Sequence, residues 1–331
     1  MKRLRVALVC NTRRSESEFE VEYDPPETIE LIRRGILDAG HEYEFIEADE
    51  KAYSELMRLR PELVFNRAEG IRGESRESYV PAFLEMLGIP YVGSNVLTTA
   101  ICLDKPTTKK ILSYHKVPTP RFKVFQRPDQ PIDGQLPYPV LLKPSREGSS
   151  IGIDAVNLVH SHDELRTKLK QMIETYREPI LAEQFVSGRE FSIGLLGNEN
   201  PQVLPILEID FSKFPSEVGA VYGQRAKTIY DSPDNYVCPA TVTQEHRRSI
   251  ESAATRAFKV LGCRDMARID VRMDEEGRLF VLEVNPLPGL DYDPEKGELS
   301  FYPIMAHTAG MTFSEMIGAI LEAATERYGL A

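Results

Sequence analysis

The chain has 331 residues, and 40 Lys and Arg against 51 Asp and Glu leave a net charge of −11. That length corresponds to roughly two or three domains and can bury a sizeable core without crosslinks, which excludes a small disulfide-stapled scaffold. At 42% hydrophobic and 27% charged residues the chain is neither disordered nor membranous. Its acidic balance excludes nucleic-acid or anionic-lipid binding unless a local basic patch intervenes, and no stretch supplies one.

The opening Met-Lys-Arg-Leu-Arg and the apolar residues 6–10 have the outline of a signal peptide. The apolar run is too short and breaks at once into Asn11-Thr12-Arg13-Arg14, so residues 4–10 are expected to form a first strand. No stretch approaches the roughly 20 apolar residues of a membrane span, and the expected location is cytoplasmic. Cys10, Cys102, Cys238 and Cys263 are scattered without metal-ligand or redox spacing, as expected of free, mostly buried thiols. Residues 25–39 read as a helix, with Ile29, Ile32, Ile36 and Leu37 at helical spacing and Gly40 just past its end. Residues 43–46 and 63–66 read as strands and 80–87 as a helix. This alternation predicts a parallel, doubly wound sheet, whose strand-end loops hold ligands. The loop 66–78 is therefore a candidate site.

A helix is expected from Asp104-Lys105 to about His115, before Pro118 and Pro120. Residues 127–139 carry four of the 23 prolines and read as a linker. Strand-like runs at 139–143 and 151–159, a helix at 163–176 and a strand at 180–186 make a small α+β unit. From about 187 the chain is strand-rich. It then reads as a helix at 245–261, a hairpin and a last helix at 313–328 whose Met and aromatic residues are core.

Three segments carry chemistry. In the hairpin 267–285, Gly277 marks an acidic turn, and alternation puts Arg268, Asp270 and Arg272 on one face and Glu283 and Asn285 on one face of the returning strand. Asp270 and Glu283 then fall nearly opposite, a like-charge pair that needs neutralising. One reading is hard-oxygen Mg²⁺ binding, with two metals bridged by a carboxylate around a transferring phosphoryl group. The other is a solvated polar face. The loop Lys143-Pro144-Ser145-Arg146-Glu147-Gly148-Ser149-Ser150 is either a phosphate cradle edged by a lysine or a flexible surface turn. Glu183 and Glu190, flanking Phe185-Val186, either accept ribose hydroxyls or belong to an alternating edge strand. Lys105 at a helix start is likewise open.

Residues 143–152 followed by Arg268-Ile269-Asp270 and Leu282-Glu283-Val284-Asn285 closely resemble ATP-grasp enzymes, specifically the D-alanine–D-alanine ligase family. The resemblance extends to Gly88-Ile89-Pro90-Tyr91-Val92-Gly93-Ser94, Leu103-Asp104-Lys105, Tyr236-Val237-Cys238-Pro239-Ala240 and Pro303-Ile304-Met305-Ala306. It implies a mixed α/β ATP-grasp fold of three units. These are a Rossmann-like parallel α/β domain over 1–104, a central lid over 105–186 and a C-terminal catalytic domain over 187–331. ATP would lie between the last two. The implied activity begins when a carboxylate attacks the γ-phosphate of ATP to give an acyl phosphate. An amine then displaces phosphate, while the protein mainly positions groups and supplies positive charge.

The same resemblance implies that Asp270, Glu283 and Asn285 hold two Mg²⁺ ions, for which Mn²⁺ may substitute, with Glu283 bridging. Lys105 and Lys143 would contact phosphates, Glu183 and Glu190 the adenine side and ribose, and the backbone of Phe185 and Val186 the base. Lys227 would be the lysine of a loop closing over the phosphates. Arg268 and the Gly289 N–H would steady the oxyanion, and Ser149 and Ser300 would sit against the substrates. Lid closure would exclude water. A homodimer is the family expectation.

Four elements depart from the family pattern. Its His-Gly-x-x-Gly-Glu loop is Glu69-Gly70-Ile71-Arg72-Gly73-Glu74 here, and the tyrosine after the loop lysine is Thr228. Residues 291–298 lengthen the turn before Ser300. Either Glu22 or Glu27 stands where the family has a glutamate for the first ammonium. A carboxylate at Glu69 is expected to favour a substrate with an extra cationic or hydroxyl group over plain alanine. The expected activity is thus ATP-dependent peptide or amide ligation. It serves either cell-wall synthesis or, with non-alanine substrates, a small-peptide or specialised-metabolite pathway. A non-catalytic ATP-binding module is the contrasting reading. A Rossmann redox enzyme is set aside because no Gly-x-Gly-x-x-Gly follows the first strand.

Overall fold

The computed structural model describes residues 2–15, 17, 20–132, 134, 136–293 and 298–330. The first 103 residues alternate β1 (Arg5–Cys10), α1 (Pro26–Asp38), β2 (Glu42–Glu47), α2 (Ala52–Leu59), β3 (Leu63–Arg67), α3 (Tyr79–Leu87), β4 (Tyr91–Val92) and α4 (Val96–Leu103). The four strands form a parallel sheet in the order β2-β1-β3-β4. Both its faces are covered, which explains the unbroken apolar run of β1. Val6, Leu8 and Cys10 pack toward Ile32 and Ile36 of α1, whereas Ala7 and Val9 pack toward Ala52, Leu56 and Leu84.

A second, antiparallel sheet joins β5 (Phe122–Phe125), β6 (Val140–Pro144), β7 (Leu158–Val159) and β8 (Ile180–Gln184) in the order β5-β8-β6-β7. The helix α6 (His162–Tyr176) covers one face through Leu165, Leu169 and Met172. The intervening helix α5 (Lys105–Tyr114) contributes Leu112 to the core under the third sheet.

That third sheet has the order β12-β11-β9-β13-β14, with β10 beside β9. Its strands are β9 (Arg189–Leu196), β10 (Gln202–Val203), β11 (Leu207–Ile209), β12 (Tyr236–Val237), β13 (Met266–Met273) and β14 (Leu279–Asn285). Between them lie the short helix α7 (Gln224–Thr228) and α8 (Gln244–Leu261), whose Ile250, Ala254 and Phe258 pack under the sheet. A two-stranded ribbon of β15 (Tyr292–Asp293) and β16 (Glu298–Leu299) precedes α9 (Phe301–Thr308) and α10 (Phe313–Tyr328). The last helix returns to the first sheet and packs on α1, where a Cβ on Gly35 would stand 2.6 Å from Ile317 Cβ.

One expected strand is absent. Residues 151–159 turn rather than extend: Ser149, Ser150 and Gly152 have positive φ, and Asn157 Nδ2 donates to the Gly152 carbonyl at 2.6 Å. A 3₁₀ turn at Ala155–Asn157 follows, and only Leu158–Val159 pairs with β6. Four short helices, α2, α4, α7 and α9, join those expected from sequence, and of these α2 carries a helical period, with Ala52 and Leu56 buried on one face. In α9 the Pro303-to-Ala306 motif lies inside the helix. Among the described residues no helix is long and apolar enough to cross a membrane. All four cysteines are free, and Cys10, Cys102 and Cys263 are buried.

Candidate active site

A cavity of about 530 Å³ opens where the three larger sheets meet. Every candidate residue except Glu27 lines it; Glu27 is exposed on the first turn of α1, whereas Glu22 faces the cavity. Antiparallel pairing of β13 with β14 sets Asp270 opposite Glu283, as alternation required, with a bulge between Asp270 and Val271. Asp270 accepts from Ser192 Oγ at 2.6 Å, from Arg268 Nη2 at 2.9 Å and from Asn285 Nδ2 at 3.1 Å. Arg268 Nη2 also lies 3.7 Å from Glu283 Oε1, and Lys105 Nζ lies 4.0 Å from Glu283 Oε2.

Burial opposes ionisation of Glu283, but Lys105, Arg268 and Lys143 outweigh it and bring its pKa down to about 2. Burial raises Asp270, opposed by Arg268. Among the described residues no three His, Cys, Asp or Glu side chains gather as a metal cage. The set here is two carboxylates and one amide. Such hard oxygen donors suit a Mg²⁺ ion that draws its remaining ligands from water and phosphate, so the residues fit that group.

The second sheet and α5 supply the opposite wall. Lys143 pairs with Glu183 Oε1, and Lys109 Nζ lies 2.7 Å from Glu183 Oε2. That second contact is an ion pair without hydrogen-bond alignment, since Oε2 has no hydrogen-bond donor. Burial opposes the Glu183 charge, yet the two lysines bring its pKa down to about 2. Glu183 thus holds Lys143 in place, and its carboxylate is engaged rather than open to a nucleoside. Glu190 is held by Arg272 through one oxygen only, Nε donating to its Oε2 at 2.8 Å. Arg272 also donates to the Val186 carbonyl at 2.7 Å, and its guanidinium lies 4.6 Å from the Phe185 ring centroid. The Phe185 N–H donates to Pro139 O at 2.9 Å.

The Gly/Ser loop meets the other two sheets. The Lys105 ammonium donates to the Glu147 carbonyl, and Lys227 Nζ on α7 lies 3.4 Å from Ser149 Oγ. Burial, and then Arg268, lowers the Lys227 pKa. Arg76 donates to Glu22 at 2.8 Å and to the Arg146 carbonyl at 3.0 Å, and Arg146 pairs with Glu74 at 2.7 Å. Arg67 holds Asp24 at 2.8 Å and the Pro288 carbonyl at 2.6 Å, tying β3 to the loop that carries Gly289. Gly289 itself has no room for a side chain, because a Cβ would lie 2.5 Å from Ser300 Oγ. Ser300 donates to Asp291 at 3.3 Å. Residues 294–297 of the lengthened turn lie outside the described residues.

Sequence reasoning missed Lys109, Arg76, Glu77 and the Asp24–Arg67 pair, and gave Arg272 no role. Lys109 had a signal: it lies four residues after Lys105, on the same helix face. The others are joined only by the fold.

A family model described as D-ala D-ala ligase C-terminus matches residues 111–322. A protein of Sinorhizobium fredii, y4sG, of uncharacterised function, is 33% identical, with 98% of each chain covered. A D-alanine–D-alanine ligase of Syntrophotalea carbinolica is 34% identical, with 91% of each chain covered. The crystal structure of the D-alanine–D-alanine ligase of Bacillus anthracis complexed with ATP superimposes with a TM-score of 0.76 at 23% identity. It covers 98% of this chain and 99% of that one. The architecture is accordingly that of the ATP-grasp fold, and on the extent of these matches the chain belongs to the D-alanine–D-alanine ligase family.

Proposed function

We propose that this protein is an ATP-dependent ligase joining the carboxylate of one small molecule, an amino acid in the first instance, to the amine of another. A carboxylate oxygen attacks the γ-phosphorus of ATP, giving an acyl phosphate and ADP. The amine then attacks the acyl carbon, phosphate leaves with the carbon–oxygen bonding pair, and the amine loses a proton. The observation that carries this reading is the convergence of Lys105, Lys143, Lys227 and Arg268 on the cavity wall that bears Asp270 and Glu283. Such a wall binds and orients a polyphosphate and stabilises charge on transferring oxygens.

In this reading Asp270, Glu283 and Asn285 hold Mg²⁺ or Mn²⁺, which when bound neutralises phosphate charge. Lys105 and Lys143 bind phosphate oxygens, Glu183 and Lys109 fix Lys143, and Glu190 with the Phe185-Val186 backbone lies toward the nucleoside. Arg268 and the Gly289 N–H face the oxyanion, Ser149 and Ser300 the substrates, and Glu22 the first ammonium. Domain divisions near 104 and 186, a cytoplasmic homodimer, and no nucleic-acid or membrane partner complete the proposal.

The test is ADP release with Mg²⁺ and ATP over single D- and L-amino acids and then pairs. Asp270→Asn or Glu283→Gln should lower turnover by roughly a thousandfold or more; retained turnover contradicts the site. Strong turnover with D-alanine alone assigns the protein to cell-wall chemistry. Turnover only with another pair assigns it to a peptide or specialised-metabolite pathway, the reading favoured by the buried carboxylate of Glu69. A purely ATP-binding module is disfavoured because neither the metal carboxylates nor Arg268 is lost.

A further inference from the structure

The wall contributed by the first sheet carries four carboxylates, Glu22, Asp24, Glu69 and Glu77. Two have their cation: Arg76 pairs with Glu22 at 2.8 Å and Arg67 with Asp24 at 2.8 Å. Glu69 and Glu77 have none within ion-pair distance among the described residues: Arg76, Lys105 and Arg67 act on Glu77, and Arg67 on Glu69, only from farther off. Each is only 8% exposed, each lines the cavity, and neither carboxylate has a hydrogen-bond or ion-pair partner among the described residues. Buried carboxylates without partners are costly, and native structures ordinarily satisfy them.

Their placement is built into the fold. Asn11, itself 3% exposed at the end of β1, accepts from the Glu69 N–H at 3.0 Å and from the Gly70 N–H at 2.9 Å. Its Nδ2 donates to the Ala48 carbonyl at 2.9 Å, so the clamp is fixed at both ends. Glu77 is held by the short turn Arg76–Ser78 that leads into α3. Burial, and next the charge of Glu77, lifts the Glu69 carboxyl well above the usual range, which places the two acids within each other's field.

We propose that Glu69 and Glu77 form a subsite for a cationic side-chain group, so that one substrate is a diamino acid or another basic amino acid. An alkylammonium carries three N–H donors, two of which the pair can take while the third points to the open cavity. A metal ion would need a third oxygen or nitrogen donor, and no such gathering exists among the described residues. On the proposed function the substrate's α-ammonium goes to Glu22, whose Oε1 Arg76 leaves open, so the pair remains for a second positive group. The turnover arm of the test rests on the ligase reading; the binding arm does not.

Ornithine and 2,4-diaminobutyrate are compared with their neutral isosteres norleucine and norvaline, as both enantiomers. Binding is followed by calorimetry with ADP and Mg²⁺ present, and turnover by ADP release. A diamino acid should bind, and turn over by kcat/KM, about tenfold or more better than its isostere. In Glu69→Gln and Glu77→Gln that ratio should fall about tenfold, with Glu69→Asp retaining part of it. Circular dichroism confirms that each variant is folded. Equal binding of diamino acid and isostere, no binding of either diamino acid, or a preference that survives both Gln variants overturns the proposal. A calorimetric preference without ADP release keeps the subsite and overturns the ligase reading instead.

Discussion

Glu77 shows how one buried acid couples this wall to pH. Burial, and then the charge of Glu22, pushes its carboxyl up to about 7, against Arg76, Lys105 and Arg67. Glu69 lines the same cavity, and the charge of Glu77 raises its carboxyl in turn. Between the ordinary carboxylate range and about pH 7 the folded chain keeps a proton that the unfolded chain releases. The group therefore adds stability below its unfolded pKa, and that contribution is lost as pH rises through about 7. Glu77→Gln removes the titration. Its melting temperature should exceed that of the unaltered protein by a few degrees at pH 8, with the gap closing toward pH 5. Thermal scans across pH check this, and a gap that does not depend on pH contradicts it. Glu183 behaves in the opposite way because two lysines reach it, so the same residue type is an ion-paired strut on one wall and lacks a direct ion pair on the other.

At the scale of elements, two contacts position the site. The β13–β14 register brings Asp270 to Glu283, and alternation alone predicted it, because a short turn leaves little freedom in how the strands pair. The contact of α1 with α10 was not legible: Gly35 looks like an indifferent helix residue until Ile317 arrives from the far end of the chain. Gly35→Ala should gain helix propensity of about 1 kcal/mol, yet lose more to overpacking, which costs about 1–3 kcal/mol. A net loss of roughly 1 kcal/mol in denaturant unfolding is expected, and the same change should cost less beside Ile317→Ala, which removes both Cγ atoms that a Cβ at position 35 would meet. A stabilised single variant would show that the two helices separate freely. The turn at 151–159 was misread as a strand for a similar reason. Ile151, Ile153, Val156 and Val159 supply an apolar rhythm, but positive φ at Ser149, Ser150 and Gly152 bends the backbone to follow the loop.

Across the whole molecule, arginines tie the first sheet to the rest of the site. Arg76 reaches Glu22 and the lid loop, and Arg67 reaches Asp24 and the Gly289 loop. Arg76→Met should leave Glu22 buried without its cation and loosen the lid loop. It should raise the amino-acid KM more than it lowers kcat, and it should speed proteolysis within residues 145–150 when nucleotide is present. Unchanged cleavage would separate Arg76 from closure. The sequence by itself determined the fold class, through motifs that resemble a known family, and the opposed carboxylates Asp270 and Glu283, through strand alternation. Each depends on a local motif whose spacing carries its own geometry. Only the tertiary structure decided that Glu22 rather than Glu27 faces the cavity, that Lys109 completes the Glu183 clamp, and that Glu69 and Glu77 line one wall with no direct ion pair among the described residues. Whether a charge is paired depends on which distant segments are packed against it, and only the folded chain brings those segments together.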